Sequence, residues 1–269
     1  MLGKQNSMND VRGQNKRYVE LDFIRGLAVF GMIIFHSFYI LDFYDVIVVS
    51  IQEGLWYFFA ELVRIVFLML VGISMHISYG RSFNKRARDG ASVLGGRMLM
   101  PIAKQIKRGI VIFAAGLLVT LATYLAVGEV YVRFGILHLI GVSIVFWSLF
   151  IWDKYIVLLM AILALVLGFC FPDLDFPFGK VDYFALDYFP IFPWMGVVGI
   201  GIFAGYLFYP GDKIRVSSSV GLFNVGILGY FSKLIVFLGR NSLWVYILHV
   251  PLILLILLIS GILDWSVFF

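Results

Sequence analysis

The stretch YVELDFIRGLAVFGMIIFHSFYILDFY, residues 18–44, decides the fold. Its centre is apolar and long enough to cross a bilayer, since about 20 helical residues span a hydrocarbon core of about 30 Å. Yet it carries Asp22, Arg25 and His36, side chains that hydrocarbon excludes unless they face protein or a wet cavity. A helix gives them an order. Asp22 lies three residues before Arg25, the spacing of an ion pair on one helix face. Arg25 and His36 are eleven residues apart, and eleven steps of about 100° return a helix to within about 20° of its start. The two therefore share a face, separated by roughly 16 Å along the axis. Arg25 and Asp22 alone would make a snorkelling anchor. His36 lies deeper, where an uncharged imidazole turned inward can accept a proton, the requirement of a general base.

The rest of the chain extends this reading. Of 269 residues, 62% are hydrophobic and 14% charged, and the mean hydropathy is +0.98, well beyond the balance of a water-soluble domain. Apolar runs cover residues 22–43, 54–79, 108–127, 134–152, 154–171, 188–208 and 234–261. Lipid cannot satisfy backbone groups, so each run is expected to be a helix, and the ten-residue alternation of a membrane barrel is absent. The expectation is an all-α polytopic bundle of about seven transmembrane helices. A basic segment over 1–21 precedes a single domain over 22–263, followed by a short tail over 264–269. The first apolar run is too long for a signal-peptide core and is read as a retained helix. The one cysteine, Cys170, suggests neither disulfide nor metal site and is expected to fill the core.

Charge gives the orientation. Seventeen of the 21 Lys and Arg fall in segments on one side of these runs, with Arg25 starting the first helix on that side and only Arg133 and Lys180 opposite. The positive-inside rule then places the N-terminus in the cytoplasm and the C-terminus outside, in a multi-pass protein of the cell membrane. The net charge of +5 reflects this asymmetry, and nucleic acid is not an expected partner. The basic RSFNKRARDG segment suits anionic lipid headgroups.

Other helices add polar groups at depth. Glu61 and Arg64 stand at i,i+3 in the second run. Ser242, Tyr246 and His249 follow i,i+4,i+7 in the last and line one stripe. FGILHLIG places His138 near the outer surface, and His76 lies at the cytoplasmic end of the second run. DYFPIFPWMG brings Asp187, Pro190, Pro193 and Trp194 to the outer mouth of another helix. Such a concentration predicts a polar cavity, used either for catalysis or for transport of a small or lipid-linked solute. The two halves of the chain show no similarity of the kind many transporters have.

In this order, ELDFIRGLAVFGMIIFH, FLMLVGISMHISYGR, FGILHLIGVS, DYFPIFPW and FLGRNSLWVYILHVP resemble the membrane proteins grouped with the heparan-α-glucosaminide N-acetyltransferase catalytic domain, from about Tyr18 to about Ile262. Arg25-x10-His36 is also similar to the R-x10-H signature of the acyltransferase-3 family. The resemblance implies a membrane acetyltransferase that takes acetyl-CoA from the cytoplasm and modifies a sugar or glycolipid across the membrane, with no metal. It carries the catalytic role to His36 and matches Arg25 to the signature arginine, with Asp22, by its spacing, as the group that fixes Arg25. In the lysosomal enzyme of that family the catalytic histidine falls in the segment matching ILDFYDVIV, which has none here, so its mechanism does not carry over intact. Expected substrate contacts are Glu61, Arg64, His138, Trp194, Ser242, Tyr246 and His249, with His249 or Tyr246 as donor to the developing oxyanion. Expected CoA-phosphate contacts are Arg81, Arg97, Lys104 and Arg240. Membrane lipid, acyl-CoA and the acceptor are the expected partners, and a homodimer is left open.

Overall fold

The computed structural model describes residues 18–49, 53–90, 98–171, 187–210 and 226–263. Within them the chain is helical: α1 Val19–Phe43, α2 Gly54–Arg88, α3 Leu99–Val127, α4 Ile136–Ser148, α5 Lys154–Cys170, α6 Ile191–Phe208, α7 Gly226–Arg240 and α8 Ser242–Ile259. Five of these, α1, α2, α3, α6 and α8, are long and apolar enough to cross a membrane, and α4 and α5 are shorter apolar helices. The protein is an all-α, multi-pass membrane protein.

The first six apolar runs each carry one helix, and three helices overrun them, α1 by three residues and α2 and α3 by nine each. At 35 residues α2 is about 52 Å long, against a hydrocarbon core of about 30 Å, so its last turns leave the apolar region. Those turns read RSFNKRAR, and Lys and Arg sustain a helix while ending the hydropathic signal. The seventh run, 234–261, does not form one helix. It breaks at Asn241 (φ −106°, ψ 22°), between α7 and α8. Cys170 is also not core: it ends α5 and is exposed, whereas Gly168 two residues earlier packs on Pro193 at the start of α6.

The main core joins α2, α4, α5 and α6. Leu68, Met75, Ile144, Trp147, Ala161, Val198 and Ile202 are buried in it. Two polar side chains bond across its helices. Trp147 Nε1 donates to Met195 O at 3.0 Å, and Gln105 Nε2 on α3 donates to Met75 O at 3.0 Å. His76 is buried as well, with Nε2 3.3 Å from Tyr209 O, so it belongs to the α2–α6 interface and not to the membrane surface alone.

A second group of helices wraps α1. The first half of α1 meets α7 running antiparallel: Phe30 stacks edge-on with Phe231 at 6.1 Å, and lower down the backbones touch. A Cβ on Gly26 would stand 1.8 Å from Ile235 O, and one on Gly239 1.8 Å from Asp22 O, so only glycine permits this contact. The second half of α1 meets α8 running parallel, with Ile40 and Leu257 in one buried cluster. Along its other side α1 lies antiparallel to α2, where Gly31 packs on Phe59 and Val63.

At the end of the bundle opposite the basic turns of α2, two connections meet. Phe134 and Tyr188 form an isolated bridge, and Phe189 N donates to Phe134 O at 2.8 Å. The half-buried Asp187 accepts from the Ile136 N–H, which caps the start of α4 with a negative charge where the helix dipole favours one. Burial nonetheless raises its carboxyl to about 6, against the opposing pull of Arg64 and that N–H.

Two outcomes follow for stability. Gly26→Leu should separate α7 from α1 and lower the thermal midpoint in detergent by an amount equivalent to about 1–3 kcal/mol. Gly80→Ala, where an added Cβ meets nothing within 4 Å, should be neutral or stabilising. Equal losses in both would contradict the contact. For Asp187 the raised value means that the folded protein holds this proton more tightly than the unfolded chain. Its contribution therefore favours the fold at low pH and is lost as pH rises from about 4 through about 6. Asp187→Asn should gain thermal stability over the parent at pH 7 and lose that advantage by pH 4. An advantage independent of pH would refute the assignment.

Candidate active site

The site is built on α1. At its basic end Asp22 binds two guanidinium groups, Arg25 Nη1 at 3.0 Å and Arg240 Nε at 3.4 Å. Arg25 Nη2 donates to Ser74 Oγ at 2.7 Å, and Ser74 Oγ donates on to Leu70 O at 2.6 Å. One carboxylate thus ties together the start of α1, the end of α7 and, through Arg25, the middle of α2. Arg108 of α3 lies within electrostatic range of Arg25. The sequence spacing gave the Asp22–Arg25 pair; Ser74 and the second bond to Arg240 come from helices remote in sequence.

Farther along the same face is His36. Its Nδ1 lies 2.9 Å from Met32 O, one turn back. A carbonyl only accepts, which assigns the proton to Nδ1 and leaves Nε2 of the neutral ring with a free lone pair. His249 on α8 is its neighbour. The two ring centroids are 4.7 Å apart and the planes 83° from parallel, an edge-to-face contact. The Nδ1 of His249 is held in the same way by Tyr246 O, and its Nε2 is buried with no hydrogen-bond partner among the described residues. His36 is half-buried, whereas His249 is 5% exposed. His36 is therefore the ring that an incoming group reaches, and His249 stands behind it.

Beyond the pair, Tyr246 faces a small cavity lined by Gly116, Val132, Gly135 and His138. His138 sits deeper than its place in the sequence suggests, 2% exposed, edge-on to Phe113 and stacked on Phe134. The first turn of α4 points it inward, away from the mouth. Among the described residues neither of its ring nitrogens makes a well-formed hydrogen bond.

The end opposite the basic turns holds the second ion pair. Arg64 Nη1 bonds Glu61 Oε1, and the guanidinium lies over the Phe189 ring, 5.4 Å from its centroid. Arg64 is also within electrostatic range of His36 and of Asp187. Trp194 meets Phe189 edge-on at 5.9 Å. Phe189 and Asp187 were visible in DYFPIFPW but not assignable to Arg64 from spacing.

The remaining expected residues separate. Ser242 starts α8, beside the turn that carries Arg240, so it belongs to the basic end. Arg81 covers the Tyr18 ring at 4.9 Å. Lys104 lines a groove of about 450 Å³ with Ser82, Lys85, Arg86 and Asp89, between the end of α2 and the start of α3. Arg97 lies outside the described residues. The candidate residues thus form three groups along one axis: cations at the basic end, two imidazoles in the middle, and Glu61, Arg64 and aromatic rings at the far end.

Comparison with known proteins bears on what this arrangement belongs to. No curated protein and no solved structure matches the chain. A family model does: the one described as heparan-alpha-glucosaminide N-acetyltransferase, catalytic, matches residues 17–251. That span runs from the start of α1 past His249 and includes every group of the site, and the chain belongs to this acetyltransferase family.

Proposed function

We propose that the protein moves an acetyl or other acyl group from cytosolic acyl-CoA to a hydroxyl or amine of a sugar or glycolipid at the outer face of the cell membrane. The observation that carries this reading is the Nε2 of His36, a proton-accepting atom on the same face of α1 as Arg25 and half-buried between the two charged ends. The basic end faces the cytoplasm in this reading. Arg25 and Arg240, fixed by Asp22, meet the CoA pyrophosphate as planar forks suited to phosphate oxygens. Arg81, Arg97 and Lys104 attract the polyanion along its approach. The pantetheine arm then runs up α1, over the roughly 16 Å that separate Arg25 from His36.

The acceptor approaches from the other end, between Glu61, Arg64 and Trp194. Arg64 and Glu61 offer a donor and an acceptor to hydroxyls, and Phe189 and Trp194 offer ring faces. His36 Nε2 removes the acceptor proton as its oxygen or nitrogen attacks the thioester carbonyl. The carbon–sulfur bond breaks, and the departing thiolate takes the proton to give free CoA. A hydrogen bond to the developing oxyanion falls to Tyr246 among the groups here, because the N–H of neutral His249 is already committed to Tyr246 O. His138 backs Tyr246 through their shared cavity and Ser242 lies nearer the cation group, so both act on the site indirectly.

Proteoliposomes test this directly. With acetyl-CoA inside and an amino sugar outside, acetylated sugar should appear outside while free CoA accumulates within. His36→Ala should lower that rate by about 10²- to 10⁴-fold, the scale of a general base. Unmodified sugar crossing the membrane with no release of CoA would identify a transporter instead.

A further inference from the structure

We propose that His249 is a positioning residue for the transfer, holding jointly with His36 the proton that leaves the acceptor. This rests on the reading above, in which His36 is the base. Three observations carry it. The rings of His36 and His249 touch edge to face at 4.7 Å. Each ring has its Nδ1 committed to a backbone carbonyl of its own helix, so both present Nε2 as the basic atom. The Nε2 of His249 is buried and has no partner among the described residues, although a buried acceptor normally has one.

An unsatisfied lone pair beside a base is costly in the resting protein and useful once a proton arrives. When the acceptor O–H or N–H bond breaks, a positive charge forms on His36 in a site with little water. The nearest group able to share it is the second imidazole. When the carbon–sulfur bond breaks, the thiolate withdraws the proton and both rings return to neutral, so the step balances without another reactant. Among the described residues no other neighbour fills this role. Arg64 on α2 already carries a positive charge and a Glu61 partner. On α7, Arg240 is bound to Asp22 and Lys233 lies over Tyr230. On α4, His138 is reached only across the cavity that Tyr246 lines. Asp187 acts on Tyr246 and Tyr39, not on the imidazole pair.

Two variants of the full-length protein in proteoliposomes test the proposal, with acetyl-CoA as donor. His249→Phe keeps a buried ring against His36 but removes both nitrogens. Its kcat should fall by about 10- to 100-fold, part of what a general base supplies, with KM for acetyl-CoA unchanged. The acid limb of its pH–rate profile should move down by about one pH unit, because His36 alone binds the proton less tightly. His249→Gln, which restores an acceptor oxygen, should recover part of the rate. Two results would overturn the proposal: His249→Phe matching the parent in rate and profile, or both variants losing rate equally with the acid limb unmoved. Either can occur while His36→Ala remains inactive, so failure here is distinct from failure of His36 as the base.

Discussion

Asp22 is the group on which the rest of the arrangement depends. It is an acidic residue in the first turn of an apolar helix, and it would be costly there without cations. It has two, Arg25 on its own helix and Arg240 from the end of α7. Because Arg25 is also bound to Ser74, the same carboxylate fixes the relative height of α1, α2 and α7. Removing Asp22 would leave the largely buried Arg25 without its carboxylate, which is why Asp22 acts as a register pin.

The register so fixed is what gives the upper part of α1 its meaning. Gly26 and Gly239 let α7 approach until backbone meets backbone, and no side chain can slide between them. A helix gripped on that side and packed on α2 along another presents His36 in one orientation. The imidazole is then oriented further by Met32 O, which settles the nitrogen that carries hydrogen. Preorganisation of this kind, achieved through helix packing and a local hydrogen bond, is what the base role proposed for His36 requires.

Much of this was legible in the sequence, and the boundary has a physical origin. Helix periodicity reports neighbours within one element, so the Asp22–Arg25 and Glu61–Arg64 pairs and the shared face of Arg25 and His36 could be read directly. Hydropathy reported the spans, with errors where a helix outlasts its apolar stretch, as α2 does through RSFNKRAR. It could not report which helices touch. The contact of His36 with His249, the bond of Asp22 to Arg240, the burial of His138 beneath α3 and the capping of α4 by Asp187 all join segments far apart in the chain. Cys170 departs from expectation for a related reason: composition shows an apolar side chain but not which face of its helix it occupies.

The break at Asn241 shows how a local irregularity creates the site. The apolar run 234–261 is interrupted only by GRNS at 239–242, and a single straight helix through it would satisfy the backbone equally well. Such a helix, continuing α7 past the level of Asp22, would carry His249 nine residues beyond Arg240, roughly 14 Å farther from the middle of α1. The observed turn reverses the chain. With α7 descending beside the first half of α1 and α8 rising beside its second half, His249 comes back up the same helix that carries His36. The stretch FLGRNSLWVYILHVP therefore encodes a hairpin: Gly239 for the close approach, Arg240 to lock onto Asp22, Asn241 to turn, and His249 placed two helical turns later against its partner. The two imidazoles meet because the last apolar run is not one helix but two.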